Sequence, residues 1–299
     1  VANINEGIFI RSKFKSIIIN ILNGLNKNEE KVFYKYKLNP VINSVSQLKK
    51  WLMFLKNKKK NRLIIHFDTG MCRLGIQEKD IKEVLKLKTR IDKFKEVIIM
   101  SHLACAGEKK DPFNEIQRKK FEKIKTLLPG YKYSLAASGG IFLGKKYHYD
   151  LVRPGINLYG GSKSYNKNLK HVVSLKSPII QINELKEGQT VGYSRTFKAK
   201  KNMTTATIPM GYADGIGIRL SNKGFVHFKS QKLPMLGRIS MDLIIIDITK
   251  VKNQIKLGDF VYLYNDLFTI DDFAKLTGTI PYRIITCISK RYIKNYKNK

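Results

Sequence analysis

Hydrophobic positions along the first 160 residues switch repeatedly between two periods. "KSIIINIL" (15–22) and "NPVINS" (39–44) are short β-rich runs. Leu48, Trp51, Leu52 and Leu55 then recur at helical spacing, behind Ser44 and Gln47 placed as a capping box. "RLIIHFD" (62–68) predicts a strand, and Ile81, Val84, Leu85 and Ile91 a helical face. "EVIIMSHLA" (96–104) predicts another strand, followed by a basic amphipathic helix over 113–128 that Pro129-Gly130 ends. "YKYSLAA" (131–137) and "YDLVRPGINLYG" (149–160) read as two more strands. Strand–helix alternation predicts parallel strands with helical crossovers, about seven units, and hence a (β/α) barrel. From about residue 170 the pattern changes. "PIIQINEL", "TTATIPM", "GFVHF", "LIIIDI" and "DFVYLYN" are β segments separated by Gly, Asn, Lys and Asp turns, with one short helix at 269–278 capped by Thr269. The predicted organisation is a barrel domain over 1–170 and a mostly-β domain over 171–299.

Composition changes this picture little. The chain has 299 residues, 43% of them hydrophobic, enough for two cores. No apolar run reaches the ~20 residues of a membrane span, and no leader pattern opens the chain. Cys72, Cys105 and Cys287 are widely spaced and fit a reducing compartment with no metal-site pattern. The formal charge of +34 suggests a polyanion partner, but it comes from 46 lysines against 11 arginines, spread along the whole chain. A specific nucleic-acid groove favours Arg and interleaved aromatics. No specific nucleic-acid role is expected, although non-specific affinity for polyanions at low salt is.

The candidate chemistry lies at strand ends and tight turns. Arg73 follows a predicted strand in "HFDTGMCRLG"; His102 does so in "MSHLA". Each has a plain structural alternative, a surface charge and a satisfied core histidine. Ser138 opens "SGG" after the next strand, a backbone arrangement suited to phosphate. Arg153 ends the last predicted strand, with Gly155 and Ile156 after it, in the region where barrels hold phosphate. Met241 and Asp242 stand at the start of a strand in "GRISMD", which alone is a packed turn. Tyr212 sits at the tip of the glycine-rich turn in "MGYADG".

Together with "VANINEG" and "VGYSRTF", these segments resemble the alanine racemases, the fold-type III family dependent on pyridoxal 5′-phosphate, in the family's own order and over nearly the whole chain. The resemblance implies a barrel, a C-terminal β domain, a head-to-tail homodimer and a cytoplasmic racemase supplying D-alanine for peptidoglycan. It implies that Ser138, with Gly155, Ile156 and Asp242, holds the cofactor and that Arg153 faces the pyridine nitrogen. Arg73 and the Met241 amide would bind the substrate carboxylate. Tyr212, supplied across the dimer interface, would act as one base, hydrogen-bonded by His102. The second base, a lysine that also carries the cofactor, has no counterpart in residues 1–299; the expectation is that the first barrel strand precedes Val1, and that this stretch expressed alone aggregates or stays molten. His66 stands where many members have a lysine, often carbamylated, and Lys290 where some have a tyrosine. Two alternatives accompany this reading, a racemase of broader specificity and an inactive relic.

Overall fold

The computed structural model describes residues 1–162, 165, 166 and 168–296. The chain divides into two compact units, Val1–Gly155 and Ile156–Lys299.

In the first unit, β1 (Asn20–Ile21), β2 (Asn39–Ile42), β3 (Arg62–His66), β4 (Glu96–Met100) and β5 (Lys132–Ser134) form one parallel sheet in chain order. Seven helices accompany them: α1 (Ile4–Lys13), α2 (Glu30–Lys35), α3 (Val45–Phe54), α4 (Ile81–Leu85), α5 (Lys88–Ile91), α6 (Phe113–Leu127) and α7 (Ser138–Ile141). Neighbouring strands in chain order, joined by helical crossovers, make the wall of a (β/α)8-type barrel. Both faces of the central strands are buried, so β3 and β4 read as continuous apolar runs. Leu63, Ile65, Val97 and Ile99 join the large core shared with the helices. Val41, Ile64, Ile98 and Met100 alternate with them and form a separate inner cluster. Period-2 alternation places His66 and His102 on that inner side, at the carboxyl ends of their strands.

Several elements differ from expectation. Residues 149–160 form no strand: only Arg153 pairs, as an isolated bridge to Ala137, and Ile156–Tyr159 is a 3-10 turn. Pro154 supplies no N–H and the ladder cannot propagate past it. The barrel wall therefore shows five strands and one bridge where about seven units were expected. "KSIIINIL" contributes only Asn20–Ile21 to the sheet. The helical face over 81–91 is broken into α4 and α5 at Lys86–Leu87. "VANINEG" opens α1, where Asn3 caps by accepting from Glu6 N at 3.0 Å. At α3, Ser44 Oγ accepts from Gln47 N at 3.1 Å, but the Gln47 side chain accepts from Asn43 N at 2.7 Å, so the box closes one residue early.

The second unit is a seven-stranded antiparallel sheet with a small ribbon beside it. The strands are β6 (Leu175–Pro178), β7 (Gln181–Leu185), β10 (Met203–Ile208), β11 (Phe225–Phe228), β12 (Gln231–Leu236), β13 (Ile244–Asp247) and β14 (Phe260–Tyr264); the ribbon is β8 (Thr190–Val191) with β9 (Phe197–Lys198). Their order is β6-β14-β11-β12-β13-β10-β7. The two edge strands β6 and β7 are separated by only Ile179 and Ile180, so the sheet must curl until its edges meet. "PIIQINEL" is thus a corner and not one strand. Ile179 N donates to Asp259 O and Ile180 N to Thr207 O, both at 2.9 Å, which closes that corner. The α8 helix (Ile270–Leu276) begins as expected at Thr269, with a reciprocal Thr269–Asp272 box. The α9 helix (Pro281–Thr286) was not expected.

Candidate active site

The loop after β3 is built around Asp68. Its Oδ1 accepts from Gly70 N at 2.8 Å and Cys72 N at 3.1 Å, which turns the chain sharply. Asp68 N donates to Ile76 O and Ile76 N to His66 O, closing the loop at its base. Gly75, at φ +114°, stands where a Cβ would lie 2.6 Å from Asp68 N. The loop therefore presents Arg73 from a fixed frame. The Arg73 side chain is exposed and hydrogen-bonds to no other described residue.

Arg153 is the hub of the first unit. Its guanidinium donates to Ser101 O at 2.6 Å, Ser134 O at 3.0 Å and Leu135 O at 3.2 Å, and also to Ser134 Oγ. Burial pulls its pKa down to about 10, which leaves it charged at neutral pH. It also reaches His102 Nδ1 at 3.4 Å, a weak contact. A guanidinium only donates, so Nδ1 accepts and the neutral ring carries its proton on Nε2. Burial first, then Arg153 and Arg73, push His102 down to about 4. His66 is likewise driven to about 4, by burial and then Arg153. Its Nδ1 lies 2.8 Å from Asn43 Oδ1. Asn43 Nδ2 already donates to Leu22 O and Val41 O, so His66 Nδ1 is the donor and its Nε2 is an acceptor. Two neutral imidazoles thus accompany two permanent cations.

Ser138 is buried at the start of α7, and its Oγ accepts from Gly155 N at 2.8 Å. The hydroxyl proton remains free to donate. At Gly139 a Cβ would lie 2.9 Å from Ala106 O, so only glycine lets this turn pack against the His102 loop. Gly155 N, expected to face a ligand directly, is committed to Ser138.

In the second unit the turn Tyr212–Asp214 docks on residues 240 and 241. Tyr212 N donates to Ser240 O and Ala213 N to Met241 O, both at 3.1 Å. A Cβ at Gly211 would come within 2.3 Å of both carbonyl oxygens. Asp214 is buried and accepts from Gly211 N at 3.0 Å. Tyr212 is 42% exposed and lines two cavities of about 530 and 420 Å³, the smaller shared with Arg238 and Met241. The Met241 amide makes no hydrogen bond to another described residue, which leaves it available to an anion. Asp242 Oδ1 pairs with Arg291 Nη1 at 2.8 Å, so its carboxylate is engaged within the protein. Arg291 Nε lies 3.4 Å from Asp214 Oδ1, so one side chain ties the Tyr212 turn to the Met241 turn. Ile156 is buried in this unit and Lys290 is exposed.

Each unit therefore gathers part of the expected set: His66, Arg73, His102, Ser138, Arg153 and Gly155 in the first, and Ile156, Tyr212, Met241 and Asp242 in the second. Sequence reasoning missed Asn43, Ser134, Gln117 and Arg291. Asn43 follows the last residue of β2 and Ser134 ends β5, polar positions at strand ends of the kind that carried the other candidates. Gln117 and Arg291 carried no such signal.

The N-terminal domain model of the alanine racemases matches residues 1–163, and the C-terminal domain model matches residues 172–296. The chain is 39% identical to the alanine racemase of Rickettsia bellii over 99% of its length and 74% of that protein. It is 38% identical to that of Rickettsia conorii, over 99% of this chain and 83% of that one. Among solved structures it is similar to alanine racemase from Bartonella henselae with covalently bound pyridoxal phosphate. There the TM-score is 0.91 at 38% identity, covering 98% of this chain and 82% of the other.

Proposed function

The chain belongs to the alanine racemase family, and we propose that it interconverts L- and D-alanine with pyridoxal 5′-phosphate as cofactor. The observation that carries the reading is Arg153, a charge held in place by three backbone carbonyls and set against a neutral histidine. The residues present suit the cofactor. Ser138 Oγ has a proton to give a phosphate oxygen, and glycines 139 and 140 keep the turn clear of side chains. In this reading Gly155 acts by orienting Ser138, with the Ile156 amide beside it. Asp242 serves the cofactor end indirectly, by fixing Arg291. When bound, pyridoxal phosphate withdraws electron density from the substrate Cα and so acidifies its proton. Arg153 would face the pyridine nitrogen and, as a guanidinium that gives up no proton at working pH, would leave it unprotonated.

Arg73 and the Met241 amide hold the alanine carboxylate. Tyr212 moves the Cα proton on one face, and His102 Nε2–H donates to its oxygen. A free phenol titrates near 10, so hydrogen bonds and cations beside it are needed for work near neutrality. Inversion needs a second base on the other face. We assign it to a lysine outside residues 1–299; the chain spans 74% of the length of the Rickettsia bellii protein. We further propose a homodimer in which Tyr212 serves the partner subunit's site, a cytoplasmic location, and D-alanine supply to peptidoglycan. No helix among the described residues is long and apolar enough to cross a membrane. The relatives' shared name does not favour the broader-specificity or relic readings.

The test is the full-length holoenzyme incubated with L-alanine in D2O. The expected result is D-alanine carrying deuterium at Cα. A cofactor-loaded protein that forms none overturns the proposal.

A further inference from the structure

Helix α6 reads from its sequence as a basic amphipathic helix, yet two of its four buried residues are polar. Asn114 and Gln117 face inward with Phe121 and Ile124. A buried primary amide costs stability unless its groups are paired. Gln117 is fully buried, and both its oxygen and its nitrogen are used. Its Oε1 accepts from Ala104 N at 2.8 Å, and its Nε2 donates to His102 O at 3.0 Å and to Thr69 Oγ1 at 3.2 Å. These partners fix the amide's orientation, since Ala104 N can only donate and His102 O can only accept. One turn earlier, Asn114 Nδ2 donates to Cys105 O and Glu108 O, both at 3.0 Å.

The partners lie on the two loops that matter. Thr69 belongs to the Asp68–Gly75 loop that presents Arg73. His102 and Ala104 belong to the loop after β4. Thr69 Oγ1 continues to Ser101 Oγ at 2.8 Å, and Ser101 O accepts from Arg153 at 2.6 Å. A single amide thus links helix α6, both loops and the Arg153 hub. Nothing else about position 117 explains a polar side chain there; an apolar residue of equal size would suit the Phe121 face better.

We infer that Gln117 is a positioning residue, which locks the His102 loop and the Arg73 loop into one frame through its amide. Its importance for racemisation rests on the function proposed above, but its geometric role does not. Released from Gln117, the His102 loop moves away from Arg153 and takes up water. The groups depressing the imidazole are burial, Arg153 and Arg73, and the first two then weaken.

Gln117→Met is the variant to make in the full-length holoenzyme, with His102 followed by NMR and backbone amides by hydrogen exchange. The expected result is a His102 pKa raised by about one unit or more. Ala104 N–H should exchange at least about tenfold faster, while β3 and β4 stay protected. In active protein kcat/KM for alanine should fall by about tenfold or more, as expected for misplaced binding groups. Thr69→Val removes the bonds of Thr69 Oγ1 to Gln117 and to Ser101 and leaves the Gln117 bonds to Ala104 and His102; it should speed exchange at Gly70 and Cys72 and leave His102 unchanged. If Gln117→Met does not fold, the side-chain amide protons of Gln117 in the unaltered protein decide, and slow exchange is expected of them. The inference is overturned if His102 and Ala104 are indifferent to Gln117→Met, or if that amide exchanges at the solvent rate. Titration and exchange need no turnover, so an inactive enzyme with these shifts would refute the activity and keep the positioning role.

Discussion

The two units hold their candidate groups in opposite ways. In the first, the side chains are themselves anchored: Arg153 is bound by three carbonyls and Ser134 Oγ, His66 by Asn43, and Ser138 by the Gly155 amide. In the second, the backbone beneath the side chain is what is anchored. Tyr212 is placed by its own N–H, by the Ala213 amide and by the close approach of Gly211 to residues 240 and 241, while its phenol bonds to no other described residue. Under the proposed function, the difference follows from what each group would be asked to do. A group whose charge must stay constant can be sunk among fixed dipoles. A group that gives and takes a proton needs an open oxygen, and stiffness must then come from the chain beneath it.

The largest effect that would break this comparison is at the phenol. Tyr212→Phe removes only the oxygen, so racemisation should fall by about 10²–10⁴-fold. Thermal unfolding should barely move, because that oxygen pairs with no other described residue. A melt lowered by many degrees would show that Tyr212 is a structural group after all.

The next effect probes the backbone. Gly211→Ala places a Cβ 2.3 Å from the Ser240 and Met241 oxygens, and neither is the end of a flexible side chain. The turn must shift, at a cost of about 1–3 kcal/mol and with a further loss of activity although the phenol is intact. Wild-type kcat in this variant would mean that the turn's position is not what places Tyr212.

The smallest effect sharpens the first unit. His66 and His102 titrate at about 4 in the folded chain, against 6.5 when unfolded. Between those values the unfolded state binds more protons. The stability from keeping the rings neutral is complete above about pH 6.5 and is lost as pH falls toward 4. For the well-buried His66 the loss reaches at most about 3 kcal/mol. Urea midpoints at pH 7.5, 6 and 4.5 should fall in that order, and His66→Leu should flatten the slope. An unchanged slope in that variant would show that His66 is not neutral in the fold.

Much of the candidate site was legible because it sits where chain direction changes. Arg73 and His102 follow strands that announce themselves by apolar runs, and Ser138 and Tyr212 lie in turns marked by glycine. The errors share a cause as well. "YDLVRPGINLYG" has the hydropathy of a strand, and a proline one residue after Arg153 cut the ladder to a single bridge. "PIIQINEL" reads as one strand, but the curl of the sheet put its halves at opposite edges. Short-range pattern cannot see which neighbour a segment will pair with.

Determined by the sequence alone were the two-part architecture, the change near residue 170 from strand–helix alternation to mostly-β segments, and the identity of the groups able to carry charge or protons. These follow from local periodicity and residue chemistry, which need no partner. Decided only by the tertiary structure were the states of those groups. Burial beside Arg153 makes His102 neutral, Asn43 makes His66 an Nε2 acceptor, Ser138 takes the Gly155 amide, and Gln117 joins two loops from a helix that looked merely amphipathic. Each depends on groups brought together across 17 to 51 residues of chain. A proton's position is set by distance and desolvation, and those exist only once the chain has folded.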